Sequence, residues 1–403
     1  MKTIHKLLTV STLAIGLAFA SNNLASADTK FTDVSSSHWA NNAIQSAVNK
    51  GYFKGYGDGS FKPNAPVTRE EFAVLMARVS NNDQVNDSVE LNDVKGRWSE
   101  SGVSDAITKG FVDGNTYAKN GFKPQQAITR VEMVRWMVSG LQVKDEDYKQ
   151  AVLDTSDTIV PVIEYYKGGL SKKDYGFVSV ALGTGLMNGY SEGKFNPSKT
   201  TTRAEVAAIL LRYEQIQDKK AGDFQQLEEL REVGLTGTNI ETIGNVRYGE
   251  EQKYKSIADI IASGDKLNTK NNVGTVQLHH YIVIDTYNKQ PKSVYADMFE
   301  LDGIKSISGA FRVWSDITFM PSKTLSSATQ AANSIYGVTF NALGGVTGPQ
   351  DYGIKMAPST ATAYKKGVAS RSWHTGGLNL GAPQMIKGAP SNFFLVYIFD
   401  KLK

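Results

Sequence analysis

The 403-residue chain contains no cysteine. This excludes a disulfide framework, the usual support of small secreted domains whose cores are too small to hold them. A block of one charge sign is also missing, because the 44 Lys and Arg and the 40 Asp and Glu are interspersed. Without a concentrated basic face, nucleic acid is not an expected partner. The uncharged run Leu7 to Ala20 falls short of the roughly 20 apolar residues that a membrane-spanning helix needs. At 41% hydrophobic and 21% charged residues, the composition excludes both a disordered chain and a multi-span membrane protein. The length calls for two or three folding units, each with its own core.

The first residues differ from the rest. Met1 to Lys6 is short and basic, the apolar run follows, and Ala25-Ser26-Ala27 offers small residues at cleavage spacing. Residues 1–27 are therefore expected to be a secretory signal peptide, with Asp28 as the mature N-terminus and no transmembrane anchor after cleavage. Without Lys2 and Lys6 the net charge falls from +4 to about +2, so the alkaline isoelectric point says little about partners. An exported chain lacking disulfides fits a large-cored surface protein of a single-membrane bacterium.

One motif recurs three times, as GYGDGSFKPNAPVTREE, GNTYAKNGFKPQQAITRVE and GYSEGKFNPSKTTTRAE. Phe61, Phe122 and Phe195 are each followed two residues on by Pro63, Pro124 and Pro197, and eight residues on by Arg69, Arg130 and Arg203. Such a repeat defines the architecture. Upstream, AIQSAVNKG and DAITKG carry apolar residues at helical spacing and stop at Gly51 and Gly110, as left-handed helix caps do. Downstream, EEFAVLMARV, VEMVRWMV and AEVAAILLRY are apolar enough for buried helices. Each unit reads as helix, loop, helix, over residues 28–80, 88–143 and 150–216.

Thr-Arg-x-Glu opens the second helix each time, pairing Thr68 with Glu71, Thr129 with Glu132 and Thr202 with Glu205. Thr at the N-cap with Glu three residues later makes a capping box, so these six residues have a structural explanation. The arginine between them does not. At the first helical position its charge faces the positive end of the helix dipole, so something negative has to offset it. That partner is either an internal carboxylate or an external anion, for which a guanidinium beside helix-start N–H groups is a suitable receptor.

The stretch FTDVSSSHWANNAIQSAVNKGYFKGYGDGSFKPNAPVTREEFAVLMARV resembles an S-layer homology domain over its full length, and the other two copies resemble it in degraded form. The resemblance covers Phe31 to about Tyr213. It implies a pseudo-threefold bundle of three helix-loop-helix repeats that binds a secondary cell-wall polysaccharide non-covalently, with ketal-linked pyruvate on N-acetylmannosamine as the anion that the arginines meet. Carried over by motif, the binding residues are Arg69, Arg130 and Arg203; Asp33 and Asp93 of the opening Phe/Leu-x-Asp-Val; and Trp39 and Trp98 at the start of the first helix. Each tryptophan either covers a sugar face or packs in the core. Self-association into a surface layer is a further expectation.

The third copy departs from the pattern. Asp154 lies much farther before Phe195 than Asp33 does before Phe61, which places an insertion through IVPVIEYYKGGLSKKDYG, and Lys173 stands where tryptophan is expected. Copy two lacks the glycine found at Gly55 and Gly189, so Arg69 emerges as the leading site residue. Asp58 in GYGDGSF does not make a calcium loop, since one carboxylate replaces the several such a loop needs, and Asn120 and Glu192 in the other copies do not restore them. No metal or cofactor is expected.

Residues 217–233 read as a charged helical connector ending at Gly234. Residues 234–403 then turn aromatic and β-branched in GTVQLHHYIVIDTYN, SVYADMFEL, AFRVWSDITFM, YGVTFNAL and SNFFLVYIFD, with one helix near KYKSIADIIAS. A mainly β domain follows, expected to be a sandwich, whose role is open between a lattice module, an adhesive module and a hydrolase. For the hydrolase, Asp297, Glu300 and Asp302 are the available carboxylates. His279 and His280 are adjacent, so in a regular strand they face opposite sides and cannot share one ion. His374 has no recognisable Ser or Cys nucleophile motif.

Overall fold

The structure is a computed structural model that describes residues 31–248, 254–269, 272–285, 293–299, 310–326, 348–357, 364–379, 384–388 and 392–399. The expected signal peptide lies outside the described residues. Among those residues, no helix is long and apolar enough to cross a membrane.

Repeat one contributes α1 (Asn41–Asn49) and α2 (Arg69–Val79). Repeat two contributes α3 (Glu100–Thr108), α4 (Gly114–Asn120) and α5 (Arg130–Lys144), with α4 inside what the sequence reads as a lengthened loop. Two inserted helices, α6 (Asp147–Asp154) and α7 (Ile163–Lys167), precede α8 (Tyr175–Gly183) and α9 (Arg203–Ile216) of repeat three. Gly51 and Gly110 follow their helices at φ of 76° and 81°, in the left-handed cap expected of them. The repeats exchange helices: α2 packs on α3, α5 on α8, and α9 returns to α1. One continuous core results, with Phe61, Phe122 and Phe195 all fully buried in it.

The connector is no loose tether. Its helix α10 (Gln225–Thr236) lies on α6 and α8, closely enough that a Cβ on Gly234 would stand 2.0 Å from the Asp154 carbonyl oxygen. Gly234 therefore serves close packing within the helix, and the end falls at Gly237, with φ of 79°. Arg231 fixes the charged face by donating to Asp147, Asp154 and Glu228.

Beyond α10 come α11 (Ile240–Ile243), β1 (Asn245–Tyr248), α12 (Ile257–Ser263), β2 (Leu267–Asn268), β3 (Gly274–Asp285), α13 (Ala296–Phe299), β4 (Ala310–Pro321), β5 (Ser370–Asn379), β6 (Gln384–Gly388) and β7 (Asn392–Phe399). They form two antiparallel sheets, ordered β1-β7-β6 and β2-β3-β4-β5. The segment SVYADMFEL supplies a helical turn where the sequence reads as strand, because Tyr295, Met298 and Phe299 at helical spacing reach one core together. The run YGVTFNAL lies outside the described residues.

Alternation along β3 divides two cores. Tyr281 and Val283 join Ile240, Ile257 and Ile260 on one face, while Ile282 and Ile284 join Trp314 and Trp373 on the other. This second face also takes Ile159, Leu230 and Val233, so the sheet is seated on the third repeat's insertion and on α10.

Glu229 of α10 is fully buried at that junction. Its Oε2 accepts from Ser293 Oγ at 2.7 Å, Val294 N at 3.2 Å and Asn239 Nδ2 at 3.5 Å, while Oε1 has no partner among the described residues. Burial pushes its pKa up to about 8 from 4.5. An acid raised in this way takes up a proton on folding, so its contribution is intact below about pH 4.5 and is lost as pH climbs through 8. In urea unfolding, the wild type should therefore lose a few kcal/mol of stability relative to Glu229→Gln between pH 5 and pH 8.5, since each tenfold gain in proton affinity on folding is worth about 1.4 kcal/mol. Glu229→Gln should lack this loss, and the difference between the two profiles separates Glu229 from Glu232 and His374, whose pKa values burial also shifts. Parallel pH profiles for the two proteins would remove Glu229 as the cause.

Candidate functional site between the repeats

An α-helix leaves its first N–H groups without internal partners. In α2, Thr68 N donates to Glu71 Oε2 and Glu71 N donates back to Thr68 Oγ1. The two donors between them leave the repeat: Arg69 N reaches Gln126 O at 2.9 Å and Glu70 N reaches Pro124 O at 3.1 Å. Repeat two does the same to repeat three, through Arg130 N to Lys199 O and Val131 N to Pro197 O. Repeat three closes the ring on repeat one, through Arg203 N to Ala65 O and Ala204 N to Pro63 O. The recurring Pro is thus the residue whose carbonyl caps the neighbour's helix.

Each arginine side chain crosses the same boundary. Arg203 donates from Nε to Phe61 O at 2.8 Å and from one terminal nitrogen to Lys54 O at 2.9 Å. Phe53, Tyr56 and Phe61 surround its guanidinium, with ring centroids 4.6 to 4.9 Å away. Arg130 repeats this on Phe195 O and Asn188 O, with the rings of Tyr190 and Phe195 at 4.6 and 4.9 Å. Burial lowers both pKa values, yet a guanidinium stays charged at any ordinary pH. Arg69 differs: one terminal nitrogen meets Phe122 O and Gln126 Oε1, and the other forms an ion pair with Glu132 at 2.9 Å. Among the described residues, Arg130 and Arg203 have no such ion pair.

Glu132 is consequently unlike its counterparts. Glu71 and Glu205 complete reciprocal capping boxes, whereas at the middle helix only Thr129 plays its half and the Glu132 carboxylate turns to Arg69 and to Tyr117 Oη at 2.7 Å. Tyr56, Tyr117 and Tyr190 all stand five residues before the repeated phenylalanine. Sequence reading overlooked this tyrosine position although its spacing was there to be seen.

Asp33 and Asp93 lie beneath the loops. Asp33 accepts from Phe61 N at 2.8 Å and Lys62 N at 2.7 Å, and Asp93 from Phe122 N and Lys123 N at 3.2 and 2.8 Å. These bonds hold Lys62 and Lys123 at φ of 55° and 54°, left-handed conformations that cost a non-glycine residue about 1–2 kcal/mol. In repeat three the equivalent is Glu164 of α7, gripping Phe195 N and Asn196 N, with Asn196 at 54°. The sequence had pointed to Asp154, which instead binds Gln150 and Arg231 because α6 packs against α10.

Trp39 and Trp98 are 67% and 64% exposed, which excludes core packing for either. Trp98 borders an open groove of about 650 Å³ along α3, lined also by Val89, Leu91, Arg97 and Glu100. Lys173, at the corresponding place in repeat three, is exposed. The third loop is further distinguished by the C-terminal half, since a Cβ on Gly193 would stand 2.6 Å from the Tyr352 ring.

In the C-terminal half Asp297 is exposed on α13, and Glu300 and Asp302 lie outside the described residues. A β-bulge at His279 interrupts the strand alternation expected there. The two histidines still have separate partners, His279 with Thr318 Oγ1 at 2.7 Å and His280 with Asp316 at 3.0 Å. Among the described residues, no group of three or more His, Asp or Glu is placed to hold a metal ion. Ser372 Oγ is 3.1 Å from His374 Nε2, but both are buried, which denies a substrate access to the pair.

The ring of exchanged bonds defines a protein in which three tandem repeats close on one another. Comparison with known families agrees: the model of the S-layer homology domain matches residues 30–73, 90–134 and 170–207, and the chain carries three such domains. The S-layer protein EA1 of Bacillus anthracis is 26% identical over 60% of this chain and 26% of its own length. The cellulosome-anchoring protein of Acetivibrio thermocellus is 34% identical over 26% of this chain and 24% of its own. An amylopullulanase of Thermoanaerobacterium thermosulfurigenes is 28% identical over 45% of this chain and 9% of its own. The chain thus spans about a quarter, or less, of the length of these relatives.

The carboxylate grip on the loop generates a prediction. Asp33→Ala should cost about 2–4 kcal/mol in urea unfolding, two charge-assisted bonds being lost from a strained loop. Asp33→Asn, which keeps one acceptor, should cost less. Adding Lys62→Gly to the alanine variant should restore about 1 kcal/mol by removing the left-handed penalty. Unchanged stability in Asp33→Ala would show that the loop is held by something else.

Proposed function

We propose that the three repeats hold this protein non-covalently to an acidic secondary cell-wall polysaccharide, with ketal-linked pyruvate as the recognised group, and keep residues 234–403 at the bacterial surface. The observation that carries this reading is Arg203. Its guanidinium is desolvated and ringed by three aromatic side chains, and it has no carboxylate partner among the described residues. A carboxylate from outside fits that need, and a planar fork suits it better than an ammonium would. Trp39 stands exposed just before α1, the helix that packs on α9, where an indole face can cover the C–H face of a sugar. Asp33 and Asp93 serve the sites through the loops they hold.

The relatives named above support surface anchoring and S-layer membership, with residues 28–80, 88–143 and 150–216 as the anchor units and 217–233 joining them to the displayed half. We read the two C-terminal sheets as layers of a sandwich and self-association as the route to a surface layer. Among the described residues, no arrangement of groups favours a hydrolase over display.

Arg203→Ala should weaken co-sedimentation with purified walls by about 2–4 kcal/mol, the value of a charge-assisted bidentate contact in a desolvated site. Arg203→Lys should recover only part. Walls stripped of their ketal pyruvate by mild acid should lose the folded wild type to the same degree. Undiminished sedimentation with stripped walls would defeat the reading.

A further inference from the structure

The three arginine sites share one plan and differ in what faces the guanidinium. Around Arg69, Glu132 Oε1 accepts both the arginine fork at 2.9 Å and Tyr117 Oη at 2.7 Å, and the arginine and glutamate side chains are only 14% and 10% exposed. Around Arg130, Tyr190 Oη donates to Glu205 at 3.1 Å and accepts from Lys199 at 2.9 Å, and Tyr352 lies over the loop at Gly193. Around Arg203, Glu71 is committed to its own capping box and Lys62 adds a second cation 4.1 Å from the Tyr56 ring. Tyr56 itself is 39% exposed, and its hydroxyl has no hydrogen-bond partner among the described residues. The middle repeat owes its difference to two features. Helix α4 delivers Tyr117 in place of a glycine loop, and Trp136, where the other repeats have Leu75 and Ile209, donates from Nε1 to Tyr117 Oη at 3.3 Å and holds it toward Glu132.

We infer that Glu132 is a built-in anion that occupies the Arg69 site and that Tyr352 and the cluster of Tyr190, Glu205 and Lys199 close the loop over Arg130, so that the site made jointly by repeats three and one, around Arg203 and Tyr56, is the one that receives the polysaccharide carboxylate. This rests on the wall-anchoring reading above and assigns its ligand capacity to one boundary. Occupancy by Glu132 is intramolecular, so an external carboxylate faces a competitor of high effective concentration at Arg69 and, among the described residues, none at Arg203. Glu132 is therefore a specificity-determining residue that touches no ligand in the wild type.

The test is calorimetric titration of the full chain with one soluble probe, the methyl glycoside of ketal-pyruvylated N-acetylmannosamine. Wild type should bind one probe per chain, and Arg203→Ala should lose affinity about 30-fold or more. Glu132→Gln should bind two, and Arg203→Ala combined with Glu132→Gln should regain one site, now at Arg69. Glu132→Asp, which draws the carboxylate back by one methylene, should give the same pattern if the glutamine variant melts early by circular dichroism. Two or three sites in the wild type, or a double variant as inert as Arg203→Ala, would overturn the assignment and leave wall anchoring standing. If the wild type binds no probe, the pyruvate reading itself fails and the assignment falls with it.

Discussion

The structure depends on how the first-turn N–H groups of three helices are satisfied. Each second helix takes a cap from its own threonine, completed to a reciprocal box by Glu71 and Glu205 but not by Glu132, and sends the two donors between to carbonyls of the following repeat. In a single repeat these helix-start donors would be left to water, whereas once buried in the ring an unpaired N–H would cost about 1–3 kcal/mol. Only a closed ring of three supplies every helix with acceptors. The ion pairs Arg97 to Glu70, Arg135 to Asp174 and Lys50 to Glu214 follow the same boundaries and add register to the closure.

That closure also places the three arginines. The arginine at the first helical position is carried into the next repeat's loop by the same geometry, where carbonyl oxygens and ring faces accept it. Its unfavourable place against the helix dipole is offset by these contacts, and the positive charge stays in a sheltered cleft. Small local changes then distinguish the three boundaries. A tyrosine on a short helix and a tryptophan behind it bring an internal carboxylate to Arg69, while Arg130 and Arg203 have no carboxylate partner among the described residues.

The C-terminal half is docked on this ring. Through Ile159 and the α10 residues Leu230 and Val233, the third repeat's insertion and the connector become one wall of the sheet's core. The insertion thus has two uses, since α7 supplies Glu164 to the third loop and Ile159 supplies apolar surface to the neighbouring core. Because of this packing, the charged helix after Tyr213 is a fixed strut, held by Arg231 on one side and by buried leucines on the other.

The three repeats, their helix-loop-helix form and the threonine caps were legible in the sequence, because capping and helical periodicity are local and repeat spacing is countable. The antiparallel strands β3, β4 and β7 were legible from alternation and β-branched content for the same reason. Partners were not. Whether a guanidinium meets Glu132, a backbone carbonyl or open space depends on which loop lies across a boundary some sixty residues or more away in the chain, and no spacing rule encodes that. The replacement of Asp154 by Glu164, the helical turn at Ala296–Phe299 and the extension of α10 past Gly234 were likewise decided by packing. Sequence determined which groups must be satisfied, and the tertiary structure determined by what, since complementarity across an interface belongs to both surfaces at once.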